Sequence, residues 1–241
     1  MAFVHGKGTS VLLNAFDVSA FLNSADQTIT VETAETTCFG SSAKSYITGL
    51  RDGTVSVGGF YDGAANAVDA VLTSALGSAT SSVLSIADEG LTIGNRALVA
   101  QAIDTSYQIT GAVGDAVSVS AEFQCEGTGT GGSGAYRGVV LSTLASQSGT
   151  GPTSLTAVDN TAGTSNGLVA NLHITSNAAS LTVKIQHSTD NVTFTDLVTF
   201  TSFAGTGSEH KITTGTVNRY LRVQWSGTAG TRTFAVTAAR K

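Results

Sequence analysis

The residues able to do chemistry are few and scattered. Four histidines stand at His5, His173, His187 and His210, and two cysteines at Cys38 and Cys125. A structural or catalytic metal needs such ligands at short, regular spacing, and none of these six residues has it. Asp88-Glu89 and the pair Glu32 and Glu35 bring carboxylates together. Carboxylates work as acid and base only in a pocket that drives their pKa values apart, and these pairs read as a solvated turn and a solvated strand edge. Gly127–Gly134 is glycine-rich but lacks the Gly-Lys-Ser/Thr ending of a phosphate loop. Gly163-Thr164-Ser165-Asn166-Gly167 has the Gly-x-Ser-x-Gly spacing, but it runs into the alternating Leu168–Ile174 stretch rather than into the helix that a nucleophile elbow opens. Asp159-Asn160 and Asp190-Asn191 carry oxygens suited to calcium, yet tight-turn duty accounts for both pairs. The sequence points away from an enzyme and implies no cofactor and no metal. The two thiols are expected to be free and buried. His173 falls on the polar side of an alternating run and is expected on an exposed face.

The elements around these residues are mostly strands. Leu168, Ala170, Leu172 and Ile174 alternate with other residues, as do Leu181, Val183 and Ile185, then Leu221, Val223 and Trp225, then Phe234, Val236 and Ala238. Period-two alternation puts one face in a core and the other in solvent. An antiparallel, jelly-roll-like β-sandwich follows for the C-terminal part. In the N-terminal part, Thr28–Glu32 and Thr54–Val57 alternate. Val117, Val119, Ala121, Phe123 and Cys125 form an inward row, opposed by Ser118, Ser120, Glu122, Gln124 and Glu126. One helix is expected near 66–76, because Val68, Val71, Leu72, Ala75 and Leu76 fall on a single stripe. Asn66 is its expected N-cap, and Gly77 its stop. The fold class is mainly β: an N-terminal sandwich or barrel with one flanking helix, plus the C-terminal sandwich.

Composition and charge divide the chain. Hydrophobic residues make up 41% and charged residues 12%, against about 25% charged in ordinary soluble domains. The surface is therefore covered by Ser, Thr, Asn, Gln and Gly, which desolvate more cheaply than charges and suit extensive protein–protein contact, a composition that secreted β-proteins also show. Residues 1–134 hold Lys7, Lys44, Arg51 and Arg96 against 13 acidic residues, a balance of −9, while residues 135–241 balance at +4. The expected domains are 1–134 and 135–241, joined at the glycine-rich stretch, with the boundary as late as 151. A nucleic-acid reader would need a basic patch with interleaved aromatics, and the acidic half is the reverse. No apolar run approaches the roughly 18 residues of a membrane span, and no secretory h-region is visible at the N-terminus. Folding in the cytoplasm of the producing cell is expected.

Three stretches carry a family resemblance. Thr30–Gly40 runs from a strand into an acidic segment ending Thr37-Cys38-Phe39-Gly40. Ile47–Gly63 ends a strand in Gly59-Phe60-Tyr61-Asp62. Val183–Ser188 pairs with Gly215–Val223. This order resembles the tail tube (major tail) proteins of long, non-contractile-tailed bacteriophages, with a C-terminal β-sandwich that decorates the outside. The resemblance implies ring oligomers, usually hexamers, stacked helically into a hollow tail made in the host bacterial cytoplasm. It also implies a tape measure protein and a tail terminator as partners, and DNA that transits the lumen without specific binding. Lumen-facing candidates are Thr28, Thr30, Glu32, Ser118, Ser120, Glu122, Gln124 and Glu126. The stretch Ala34–Leu50 reads as one long loop, and loops of that length are usually functional. Its expected role is ring stacking through Glu35, Phe39, Lys44, Tyr46 and Arg51. Two other readings remain open: another virion component, such as a capsid decoration or baseplate protein, and a carbohydrate-binding, adhesin-like module.

Overall fold

A computed structural model describes residues 5–127 and 134–241. Residues 128–133, most of the expected linker, lie outside the described residues. In the first half, strands run β1 (Ser10–Leu13), β2 (Phe16–Asp17), β3 (Leu22–Glu35), β4 (Tyr46–Phe60), β5 (Ser82–Ala87), β6 (Arg96–Thr110) and β7 (Ser118–Cys125), with one helix, α1 (Val68–Ala75). The second half contributes β8 (Tyr136–Ser148), β9 (Thr153–Ser154), β10 (Val158–Asp159), β11 (Leu168–Asn177), β12 (Leu181–Ser188), β13 (Thr195–Thr199), β14 (Gly207–Thr213), β15 (Tyr220–Gly227) and β16 (Thr231–Arg240). Among the described residues the chain is mainly β, antiparallel, with sandwich packing and a single α-helix.

One sheet of eleven strands follows the order β14-β11-β16-β8-β6-β5-β1-β2, with β7, β4 and β3 branching from β6. β8 sits at the crossing: Arg96–Val99 of β6 pair with Val139–Tyr136, while β8 pairs with β16 on its other side. Gly138 makes that close approach feasible, because a Cβ there would lie 2.1 Å from the Ala238 carbonyl oxygen. A second sheet, β10-β15-β12-β13 with β9 alongside, covers β11 and β16.

Two main cores result. Val55, Val57, Leu84, Leu98, Val119 and Phe123 pack with Val68, Val71 and Leu72 of α1. Leu172, Ile174, Phe234 and Val236 meet Val183, Ile185, Val223 and Trp225 between the two sheets. Val68, Val71, Leu72 and Ala75 form the predicted stripe, but Leu76, expected on it, is exposed as the C-cap, and the helix starts later than expected. Ala67 is its N-cap with no side-chain cap bond, and Asn66 turns the chain before it at φ +64°. Gly77 ends it as predicted, at φ +65°.

β11 departs from the one-sided pattern. Leu168 to Ile174 are all buried, because one face meets the second sheet and the other meets β5 and β6. His173, expected on an exposed face, is fully buried. The thiols also divide: Cys125 is buried as expected, and Cys38 is exposed. Val117, expected in the inward row of β7, is exposed at the strand's entry.

Candidate functional site

Four strands in the order β3-β4-β7-β6 form the most distinctive surface. Registers fix which side chains share a face: Asp26 lies opposite Ser56, Thr28 opposite Thr54 and Thr30 opposite Asp52. Ser56 in turn lies opposite Glu122, and Thr54 opposite Gln124. The other face carries Val55, Val57, Val119, Ala121 and Phe123 into the core. Alternation thus sorts polar from apolar residues, as the pleat requires. A shallow groove on the polar face is lined by Asp26, Thr28, Thr54, Ser56, Thr105, Glu122 and Gln124. Gln124 donates to Asp52 Oδ1 and, at 3.2 Å, to the Gly53 carbonyl. The face carries three carboxylates, Asp26, Asp52 and Glu122, and among the described residues on it no Lys or Arg.

Six predicted residues gather there: Thr28, Thr30, Ser118, Ser120, Glu122 and Gln124. Glu126 continues the row one residue past β7, its N–H donating to the Gln101 carbonyl at 2.9 Å, but it is half-buried. Glu32 sits apart, at a bulge where the β3–β4 register shifts between Val31 and Thr33.

Beyond that bulge the sheet narrows to two strands. The expected loop Ala34–Leu50 is shorter than predicted: Ala34 pairs with Ile47 and Glu35 with Tyr46, leaving 36–45 as the tip. Backbone pairing extends the hairpin where the Thr- and Ser-rich sequence gives no core-facing alternation. Of the predicted stacking residues, Phe39 and Lys44 lie in the tip. Glu35 and Tyr46 close the strands, and Arg51 lies within β4 at the arm's base. There its guanidinium stacks 4.5 Å from the Tyr136 ring centroid. Lys44 pairs with Glu35 at 3.1 Å, and the Thr36 N–H bonds the Ser45 carbonyl at 2.8 Å. Val31, Phe39, Tyr46, Ile47 and Leu50 are all exposed, although each is apolar or aromatic.

Both lateral edges of the four-stranded sheet are open among the described residues. β3 pairs only with β4 along its whole length. Ile103–Thr110 of β6 pair in register only with β7, apart from a single bridge between Asp104 and Leu76. A groove follows the β3 edge, lined by His5, Lys7, Leu22, Ser24, Ala25 and Asp88, and continues past Gln27, Ile29 and Arg137. Gln27 donates to Asp88 Oδ1 at 2.8 Å and accepts from Arg137 at 2.9 Å, while Arg137 pairs with Asp88. Exposed strand edges are templates for another chain.

A polar seam joins the two halves, and nothing in the one-dimensional pattern signalled it. Asn171 Nδ2 donates to the Leu84 carbonyl at 2.8 Å and the Ala100 carbonyl at 3.0 Å. Its Oδ1 accepts from His210 Nδ1 at 2.6 Å. Thr237 and Ser85 hydroxyls lie 2.8 Å apart. His173 Nε2 meets Ser85 Oγ at 2.8 Å. A Ser–His contact resembles half of a hydrolytic site. Here both residues have no exposed surface, and His173 Nδ1 is held by the Asn14 carbonyl rather than by a carboxylate. Desolvation pushes both His173 and His210 down to about 4. Burial pushes the Cys125 thiol up to about 12, with Asp52 contributing, so the thiolate nucleophile is suppressed. The acidic turns do local work. Asp190 Oδ1 accepts from the Val192 and Thr193 N–H groups, both at 2.9 Å, and Asp159 from the Thr161 N–H at 2.8 Å. Among the described residues no group of three or more His, Cys, Asp or Glu is placed to hold a metal ion. No described helix is long and apolar enough to cross a membrane.

No family model matches the chain, and no curated protein matches it. Solved structures do. A chain from the virion of a native gene transfer agent particle matches with a TM-score of 0.45 and 15% identity, over 52% of this chain and 96% of that one. A chain from the tail of an empty particle of that kind, refined with C6 symmetry, gives 0.43 and 14% over the same shares. The SPP1 Dit (gp 19.1) protein, described as a hub adsorption apparatus in phages infecting Gram-positive hosts, gives 0.38 and 13% over 96% of this chain and 98% of that one. Likenesses of this strength carry no functional conclusion.

Proposed function

We propose that this chain is a structural, non-enzymatic virion protein that polymerises as stacked rings into a phage tail tube, the conduit for genome ejection. One observation carries the reading: a four-stranded sheet whose polar face is cation-free and whose two edges are open among the described residues. The β3 edge of one copy and the Ile103–Thr110 edge of the next are free to pair, and repeated pairing of that kind is head-to-tail, closing into a ring where the rotation between copies divides a full turn. Closure removes the sheet edges altogether. The polar face then lines the lumen, where Asp26, Asp52 and Glu122 repel phosphates rather than bind them. Screening over roughly 8 Å at physiological salt confines that repulsion to DNA near the wall.

In this reading a hexameric ring is the assembly unit, residues 135–241 form the outward part, and a tape measure protein and a terminator set length. The resemblance of Thr30–Gly40 and Ile47–Gly63 to tail tube sequences supports it independently of the geometry. Electron microscopy of the purified protein at high concentration tests it. Hollow filaments built from rings are expected. A protein that stays monomeric at every concentration and salt tested overturns the proposal.

A further inference from the structure

The Ile103–Thr110 edge of β6 is guarded at its start. Where the chain leaves α1, Leu76 makes a single parallel bridge to Asp104. The Gly77 N–H reaches the Asp104 carbonyl at 3.5 Å, the outer limit of a hydrogen bond. Two further features meet at the same residue. The β6–β7 register shifts between Asp104 and Ser106. The Asp104 side chain is buried, two residues along from Ala102, which packs with Leu72 and Ala75 of α1. Both its carboxylate oxygens lack a hydrogen-bond partner. A covering segment, a bulge and an inward-pointing charge are three separate means of keeping an edge strand from pairing.

We propose that the exit of α1, Leu76–Ser78, is a releasable latch on the β6 edge, and that ionisation of Asp104 beneath it favours release. The inference rests on the tube reading, in which this edge pairs with a second copy, and adds what holds the edge shut in the single subunit. While latched, Leu76 and Gly77 occupy the place beside Asp104 that a partner strand would take. The hold is slight, one bridge and one long hydrogen bond, and Gly77 sits at φ +65°. Charge supplies the drive. A buried carboxylate without a donor resists ionisation, and desolvation raises Asp104 from 3.8 to about 6. No cation compensates, because residues 60–81, 102–110 and 118–125 contain no Lys, Arg or His. The titratable groups that the packed elements bring to this side are Asp69 of α1, Tyr107 of β6, Cys125 of β7, and Tyr61 and Asp62 of the chain entering α1. Asp69 is occupied by the Tyr107 hydroxyl at 2.7 Å. The raised value belongs to the latched state. Closure is therefore favoured fully below 3.8 and loses that advantage as pH rises through 6. Released, the carboxylate meets water and ionises at its ordinary value.

Amide exchange at position 77, expressed as protection relative to an unstructured peptide at the same pH, tests the latch in the native chain. The core amide of Ala100 serves as the reference for global unfolding. Protection at Gly77 is expected to fall on the order of tenfold between pH 5 and pH 7.5, and Asp104→Asn should abolish the fall. Gly77→Ala, which strains the φ +65° position, should lower protection at both pH values. Tube growth followed by light scattering should keep the same order: native protein faster at pH 7.5 than at pH 5, Asp104→Asn slow at both, Gly77→Ala fast at both. Tubes from a protein whose protection is equal at the two pH values, or whose pH response survives Asp104→Asn, overturn the latch and leave the tube reading intact. Equal growth of native protein and Asp104→Asn at pH 7.5 does the same. The expected protection pattern in a protein that never forms tubes supports the latch and overturns the tube. Flat protection without tubes overturns both.

Discussion

Ser85 on β5 donates its hydroxyl to His173 Nε2 on β11 across 2.8 Å, inside the seam that joins the two halves. The direction follows from the other ring nitrogen. Nδ1 faces the Asn14 carbonyl at 2.7 Å, and a carbonyl only accepts, so Nδ1 carries the proton and Nε2 the lone pair. The neutral ring is therefore built into the fold.

Acid should attack this seam. His173 and His210 are depressed by burial from 6.5 to about 4. Their contribution to stability is present above pH 6.5 and is lost as pH falls through 4. For fully buried His173 the loss is on the order of 3 kcal/mol. Asp104 acts in the opposite sense: burial raises it from 3.8 to about 6, so its contribution is full below 3.8 and is lost as pH rises through 6. Melting curves between pH 7.5 and 3.5 should show a shallow net acid loss in the native chain and a steeper one in Asp104→Asn. An acid profile unchanged by His173→Gln would refute the assignment.

Asp104 is itself a liability at neutral pH. Both carboxylate oxygens are buried without a hydrogen-bond partner, and the Ser106 backbone N–H, which only partly offsets burial, does not reach hydrogen-bonding geometry. Asp104→Asn should raise stability at pH 7.5 by about 1–3 kcal/mol, and leave it nearly unchanged below pH 4. Chemical denaturation at the two pH values measures both.

Asn171→Ala should be costly. It strips donors from the Leu84 and Ala100 carbonyls and leaves His210 facing an empty position. Unsatisfied buried groups cost about 1–3 kcal/mol each, so the denaturation midpoint should fall sharply, in a single transition if the halves unfold together. Gly138→Ala tests the same junction by sterics, since its Cβ would meet the backbone of Ala238 and Ala239. Little or no soluble protein is the expected outcome.

Reversing charge on the polar face should alter DNA contact without altering the fold. Asp26 and Glu122 are exposed, so Asp26→Lys with Glu122→Lys should shift stability by no more than about 0.5 kcal/mol. Retention of duplex DNA should appear in the variant and weaken steeply with salt. Polarisation of a labelled fragment, with native protein as reference, reads this out. Equal retention by both proteins contradicts a repulsive wall.

Legibility in the sequence followed burial on one side. β7 was readable because Val119, Ala121, Phe123 and Cys125 enter the core while Ser118, Ser120 and Glu122 do not. β11 misled because Asn171 and His173 alternate with Leu172 and Ile174 like solvent residues, yet the sheet turns its second face onto β5 and β6. Polar residues there complete a network rather than meet water, and one strand cannot reveal whether its partner layer exists. The Ala34–Leu50 hairpin was missed because its residues face no core, so burial imposes no alternation on them. The two open edges were unreadable for a related reason: an edge is defined by which neighbours are absent.

The arm has a consequence for how such a chain changes over generations. Its tip, 36–45, is exposed throughout and its bonds stay within the hairpin. Substitutions there leave the stability of the single subunit untouched, so mutational drift at Phe39 or Lys44 goes unchecked by folding. Among diverged relatives the tip should vary far more than the seam around Asn171.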